Sequence, residues 1–190
     1  MMLVLGYELS YLELFGSIVS LIAVLFATRA KIWNWPIGIV GQILFFFLFL
    51  KNGLFGQMVL QTFFTGVSIY GWYYWDRDAG KKIKTIGLKN IISYSLITAF
   101  LCLIGTFILS FFQTEYVILD ATITVISMVA VFGLSKKYLE AWVLWIIVDI
   151  LSIALFYLKG INLISIEYIL ITAIATYGLV NWTKTYKNQI

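Results

Sequence analysis

Seven stretches of apolar residues, separated by short polar connections, run through the chain. They cover about 12–29, 33–50, 55–75, 91–112, 117–134, 141–158 and 163–182, and each comes close to the roughly 20 residues that a helix rising about 1.5 Å per residue needs to cross a hydrocarbon core. Periodicity alone does not separate a membrane span from a buried core helix. Seven such runs in 190 residues do, because so short a chain cannot enclose them all in one soluble core. The pattern predicts an all-α integral membrane protein of about seven transmembrane helices in a single domain. Composition agrees: with 62% hydrophobic residues, 12% charged residues and a mean hydropathy of +0.98, the chain has too little polar surface to cover a particle in water.

The connections set the orientation. Arg29, Lys31, Arg77, Lys81, Lys82, Lys84, Lys89, Lys136, Lys137, Lys184 and Lys187 fall on one side of the spans, and only Lys51 and Lys159 fall on the other. Lys and Arg collect in cytoplasmic loops, so this asymmetry predicts an outside N-terminus and a cytoplasmic C-terminus. The net charge of +4 is topological by this reading and does not mark a nucleic-acid-binding face. Residues 1–12 hold no Lys or Arg, so the start does not look like a cleavable signal peptide and the first span is expected to stay. Trp33, Trp35, Trp72, Trp75, Trp142 and Trp182 lie near span ends, where indole rings favour the membrane interface.

The second and sixth spans share a spacing, Trp35, Gly38, Gln42 against Trp142, Trp145, Asp149, at an offset of 107 residues. At that offset the third and seventh spans align Thr65 with Thr172, Tyr70-Gly71 with Tyr177-Gly178, and Trp75 with Trp182. A one-residue slip pairs Lys51 with Lys159. An even number of crossings separates the copies, so they point the same way: repeat 1 at about 12–75, a linker region at about 76–112, and repeat 2 at about 117–182. Transporters are often built from such parallel repeats, with substrate bound near the midplane between them. Recurrence of Trp and Tyr-Gly by aromatic richness alone is the competing explanation.

Asp149 stands about eight residues into the sixth span, about 12 Å along the helix. An acid at that depth faces water, a partner or a ligand, because a lone carboxylate in hydrocarbon costs several kcal/mol. With Trp142, Trp145 and Ser152 it forms one helix face, a cradle suited to a cationic aromatic ring through stacking, cation–π attraction and direct charge. The alternative is a carboxyl hydrogen-bonded to a neighbouring helix, with the indoles as packing. The third span carries Gln57, Gln61, Thr65, Ser68, Trp72 and Trp75, and the seventh carries Tyr168, Thr172 and Thr176. Hydroxyls there fit interhelical bonds, whereas the amides of Gln61 and Gln42 have more hydrogen-bonding sites to satisfy and are better ligand candidates. Asp120 and Glu167 sit near the outer surface, and Gly38 and Gly41 near Pro36 suit either a bend or close packing.

Histidine is absent and the one cysteine, Cys102, lies in an apolar run, so no internal disulfide, metal site or cofactor is expected. The chain has no phosphate loop, no G-x-S-x-G elbow and no H-E-x-x-H helix, which leaves ATP-driven and hydrolytic readings without support and makes an enzyme unexpected.

Trp142-Val143-Leu144-Trp145-Ile146-Ile147-Val148-Asp149, followed by Ser165-Ile166-Glu167-Tyr168-Ile169-Leu170, resembles the C-terminal repeat of the Pnu vitamin transporters. Leu60-Gln61-Thr62-Phe63-Phe64 and Ile69-Tyr70-Gly71-Trp72-Tyr73-Tyr74-Trp75 resemble their N-terminal repeat. The resemblance covers nearly the whole chain. It implies a fold like the SWEET sugar transporters, two parallel three-helix repeats joined by a linker helix, in a bacterial inner membrane. It also implies facilitated uptake of an unphosphorylated vitamin, trapped inside by a cytoplasmic kinase. Nicotinamide riboside members carry W-x-x-W-x-x-x-N, and here the last position is Asp149; an acid there, and Tyr177, lean toward the thiamine branch. Both substrates carry a ring cation. The candidate binding residues are Trp142, Trp145, Asp149, Gln61, Gln42, Trp35, Tyr168 and Tyr177. A second reading is a vitamin-binding subunit that needs a separate ATPase module, docked through the small-residue stripe Ala23 and Ala27. The sequence leaves homo-oligomerisation open.

Overall fold

A computed structural model describes residues 2–4, 7–51, 55–77, 82–111, 116–159 and 162–189. Lys81, one of the charges used for orientation, lies outside them. Two short antiparallel strands, β1 (Met2–Val4) and β2 (Tyr7–Leu9), pair Met2 with Leu9 and Val4 with Tyr7. They are followed by seven helices: α1 (Tyr11–Thr28), α2 (Asn34–Lys51), α3 (Phe55–Arg77), α4 (Leu88–Ser110), α5 (Val117–Ser135), α6 (Glu140–Leu158) and α7 (Asn162–Lys187). Each predicted span lies on a helix. Strands of three residues are too short to register as a hydrophobic alternation, and no sequence pattern marks them.

Among the described residues, five helices are long and apolar enough to cross a membrane: α1, α2, α5 and α6 over their whole lengths, and α4 over Asn90–Ser110. The other two, α3 and α7, carry polar side chains along their lengths, Gln61, Thr65 and Ser68 in one and Tyr168, Thr172 and Thr176 in the other. Large apolar side chains stand exposed along α4, among them Ile92, Leu96, Leu103 and Phe107. Such a surface suits hydrocarbon as solvent, since every backbone polar group within a helix is already bonded. Pro36 lies in the first turn of α2, where the N–H it lacks has no helical partner to lose.

The chain forms two compact units, residues 1–81 and 82–190. In the first, α2 packs against both α1 and α3. The α1–α2 seam is close: a Cβ on Gly41 would come within 2.5 Å of Ser20 Oγ, and one on Gly16 within 3.3 Å of the Phe45 ring. Gly41 therefore serves close packing, whereas Gly38 is looser, with Ala23 Cβ 3.8 Å from where its own Cβ would be. Ala23 and Ala27 are buried. They are not an open face for docking an ATPase partner.

In the second unit α4 packs on α5, α5 on α6, and α6 on α7. The segment ahead of α4 is strapped to the α5–α6 turn. Lys84 donates its N–H to Lys137 O and accepts from Leu139 N–H, both at 2.9 Å, and Ile86 N–H donates to Glu140 Oε1 at 2.9 Å. Ile83 is buried beside these bonds. At the other end Lys159 Nζ lies 3.2 Å from Asp120 Oδ2. This partly exposed pair contributes below about 1 kcal/mol.

Local features recur at the 107-residue offset. Thr28 and Ser135, both fully buried, donate to the carbonyls of Leu25 and Phe132 at 2.8 and 2.7 Å. Left-handed backbone follows each, at Ala30 (φ 51°) and Lys137 (φ 60°). Trp35 meets Trp75 edge-on at 5.2 Å in the first unit, and Trp142 meets Trp182 edge-on at 5.7 Å in the second. The glycine requirement recurs too: a Cβ on Gly71 would lie 2.6 Å from the Trp35 ring and one on Gly178 would lie 2.8 Å from the Trp142 ring. These contacts correct the interfacial expectation for four of the six tryptophans. Trp35, Trp75, Trp142 and Trp182 are buried, and only Trp33 and Trp72 are exposed. The physical reason is the facing glycine, which opens a slot between helices for an indole that would otherwise lie at the headgroups.

Candidate functional site

The candidate residues fall into two groups, one in each unit. In the first unit, Gln42 projects from α2 and donates Nε2–H to Ser68 Oγ of α3 at 2.9 Å. Its Oε1 is buried with no hydrogen-bond partner in the protein, as are Asn34 Oδ1 and Trp35 Nε1. Gln61, on α3, is half-buried, and its backbone carbonyl accepts from Thr65 Oγ1.

In the second unit α6 turns one face inward, with Trp142, Val148, Asp149, Ser152 and Leu155 buried along it. Asp149 is only 2% exposed and Ser152 only 1%. Asp149 Oδ2, Ser152 Oγ and Trp142 Nε1 all lack a hydrogen-bond partner in the protein. Burying polar groups in this state costs roughly 1–3 kcal/mol each, and more for a charge. Three on one helix face within three turns is therefore a cost that packing alone does not explain. Facing them from α7 is Tyr168, whose ring stacks on Phe156 of α6 at 5.5 Å. Its hydroxyl is beside the Ser152 hydroxyl, within reach of a side-chain interaction, and is within electrostatic range of Asp149. Trp145, half-buried, continues the α6 face between Trp142 and Asp149.

The units differ where this polar face lies. The 107-residue counterpart of Asp149 is Gln42, whose amide is tied to Ser68; the counterpart of Ser68 is Ala175, a methyl with nothing to donate. Ser152 replaces Phe45, Tyr168 replaces Gln61 and Trp145 replaces Gly38. The α2 amide gives its N–H to its neighbouring helix, whereas Asp149 Oδ2 has no hydrogen-bond partner in the protein. Tyr177 stands apart from this cluster. It is 51% exposed, about two helical positions from Ala175 and so roughly opposite it around α7. The sequence pattern included Ser152 in the α6 stripe but gave it no role, since a membrane serine ordinarily bonds to its own helix.

The helices, five of them among the described residues long and apolar enough to cross a membrane, define the chain as a small multi-pass membrane protein with a buried acid on one of them. It is similar over 97% of its length to the nicotinamide riboside transporter PnuC of Escherichia coli K12, 30% identical and spanning 90% of that protein. The riboflavin/roseoflavin transporter RibM of Streptomyces davaonensis is 24% identical over 90% of the chain and 83% of its own length. A crystal structure of the vitamin B3 transporter PnuC superposes with a TM-score of 0.72 at 25% identity, covering 94% of this chain and 83% of that one. The nicotinamide mononucleotide transporter family model matches residues 10–184, and the chain belongs to that family. Its relatives are transporters, not enzymes.

Proposed function

We propose that the protein is a facilitator for an unphosphorylated cationic vitamin, nicotinamide riboside or thiamine, working by alternating access in a bacterial inner membrane with its N-terminus outside. The observation that carries this reading is Asp149: a carboxylate buried to 2%, one oxygen of which has no partner in the protein, on a helix that crosses the membrane. A ring cation supplies the missing charge, and an apolar surrounding strengthens that attraction well beyond its value in water. Trp145 offers a ring face for stacking. Trp142 and Trp35 hold α6 to α7 and α2 to α3, and their buried indole N–H groups are donors in reserve. Gln42, Gln61, Tyr168 and Tyr177 complete the proposed set, with Tyr168 set against Asp149.

The recurrence of Thr28, Ala30, Trp35, Gly71 and Trp75 at Ser135, Lys137, Trp142, Gly178 and Trp182 supports two parallel three-helix repeats, α1–α3 and α5–α7, joined by α4, as in the SWEET transporters. Two copies of one unit are the architecture from which alternating access arises in many transporters. The E. coli relative is a nicotinamide riboside transporter, which favours a riboside; Asp149 in place of the family's asparagine favours thiamine.

Facilitation moves substrate only down its gradient, so net accumulation requires chemical conversion inside. In cells expressing the protein with the matching vitamin kinase, labelled vitamin should accumulate above the external concentration as its phosphate. In cells lacking that kinase, uptake should stop at equilibrium. Accumulation of unphosphorylated vitamin without the kinase would contradict the facilitator reading.

A further inference from the structure

We propose that Ser152 is a substrate-binding residue that works with Asp149 to read a hydrogen-bonding edge on the ligand, made of an N–H donor beside an acceptor atom. The inference deepens the proposed vitamin uptake and rests on it.

The first ground is the state of the hydroxyl. Membrane hydroxyls in this protein are ordinarily occupied by their own helix: Thr65 bonds to Gln61 O, Thr122 to Ile118 O, Ser127 to Ile123 O, Thr172 to Tyr168 O and Thr176 to Thr172 O. Ser165 donates across to Ile153 O on α6. Ser152 is more deeply buried than most of these, at 1% exposure, and has no such bond. Buried hydroxyls are seldom left in this condition, because nearly every one finds an acceptor nearby.

The second ground is placement. Ser152 is three residues beyond Asp149, so the two side chains are neighbours on one helix face, with Cβ atoms about 5–6 Å apart. That face is closed from α7 by Tyr168, stacked on Phe156. The counterpart of Ser152 in the first unit is Phe45, which stacks on Phe49 and carries nothing polar. The hydroxyl therefore belongs to the α6 site and not to the shared packing scheme.

The third ground is chemistry. A carboxylate only accepts hydrogen bonds, whereas a serine hydroxyl also donates. A pair one turn apart matches a ligand group with a donor next to an acceptor. A carboxamide gives its N–H to Asp149 and takes the Ser152 hydroxyl on its carbonyl oxygen. An aminopyrimidine gives its exocyclic N–H to Asp149 and takes the hydroxyl on a ring nitrogen. A carboxylate in place of the carboxamide has no N–H to give and brings a like charge to Asp149. The pair thus selects for an amide or amidine edge, separately from the attraction between Asp149 and the ring cation.

The test is binding of matched ligands to purified wild type and Ser152→Ala by calorimetry. For a riboside ligand the pair is nicotinamide riboside and pyridinium riboside, which lacks the carboxamide; for thiamine it is thiamine and its analogue with C–H in place of the pyrimidine ring nitrogen next to the amino-bearing carbon, which removes the acceptor for Ser152. Ser152→Ala should weaken the intact ligand roughly three- to tenfold, the range set by one neutral hydrogen bond. It should leave the truncated ligand unchanged, and it should change the melting temperature little, because the hydroxyl it removes bonds to no backbone carbonyl and has only the Tyr168 hydroxyl beside it. Equal weakening of both ligands, or of neither, would overturn the edge-reading role while leaving vitamin uptake standing. Failure of wild type to bind either intact ligand would overturn the functional reading, and this inference with it.

Discussion

Replacing Asp149 by Asn should lower affinity for the cationic vitamin by about ten- to a hundredfold, the range of a lost hydrogen bond to a charged group. The same change should raise the melting temperature of the protein. The two effects have one cause. Asp149 is buried and one of its oxygens has no protein partner, so the fold without ligand bears the cost of an uncompensated polar or charged group. Asn has the same shape without the charge, and relieving that cost is expected to stabilise the fold by about 1–3 kcal/mol. Opposite movements of binding and stability separate a ligand-binding carboxyl from one that holds helices together. If α6 used Asp149 as an interhelical bond, substitution would lower both. Calorimetric titration and thermal denaturation of the same purified preparation measure the pair.

Trp142→Ala should act in the other direction, costing about 3–5 kcal/mol of stability as expected for truncating a buried indole. Trp142 fills the slot left by Gly178 and meets Trp182 edge-on at 5.7 Å, so its removal opens a cavity in the α6–α7 seam. Trp35→Ala should do the same in the first unit, where Gly71 and Trp75 form the equivalent slot. Trp145→Ala provides the contrast. Half-buried on the same α6 face, it should change the melting temperature little but weaken an aromatic cation through lost stacking. Thermal denaturation of the three variants checks the ranking. Similar stability in Trp142→Ala and Trp145→Ala would contradict the structural role of Trp142.

The helices were legible because length and hydropathy are both sequence properties. Span ends in the sequence fall within about three residues of the helix ends, except that α7 continues five residues past its span to Lys187. The tryptophans were read less well. A tryptophan near the end of a span looks the same in sequence whether it faces headgroups or a neighbouring helix, and four of the six face helices. A signal for them was present: Gly71 stands four residues before Trp75 and Gly178 four before Trp182, at the offset that relates Trp35 to Trp142. A small residue repeated opposite a large one marks a packing slot. The strap between Lys84 and the α5–α6 turn was not legible, because it is made mainly of backbone bonds that no side-chain pattern encodes.

Asp149 could be found from sequence because an acid in an apolar run is conspicuous. Ser152 could not be distinguished from other membrane serines, since what sets it apart is a bond it does not make. The contrast with the first unit also needed the structure: Gln42 and Asp149 occupy equivalent positions, and Gln42 bonds to Ser68 on α3 where α7 carries Ala175.

Counterflow in proteoliposomes containing only the purified chain tests transport of a cationic vitamin most directly. Vesicles loaded with unlabelled nicotinamide riboside or thiamine, and diluted into a trace of the same labelled compound, should take up label transiently and saturably without ATP. The Asp149→Asn variant should need a higher concentration for the same exchange. Absence of exchange for both compounds, or exchange that appears only when an ATPase module and ATP are supplied, would contradict it.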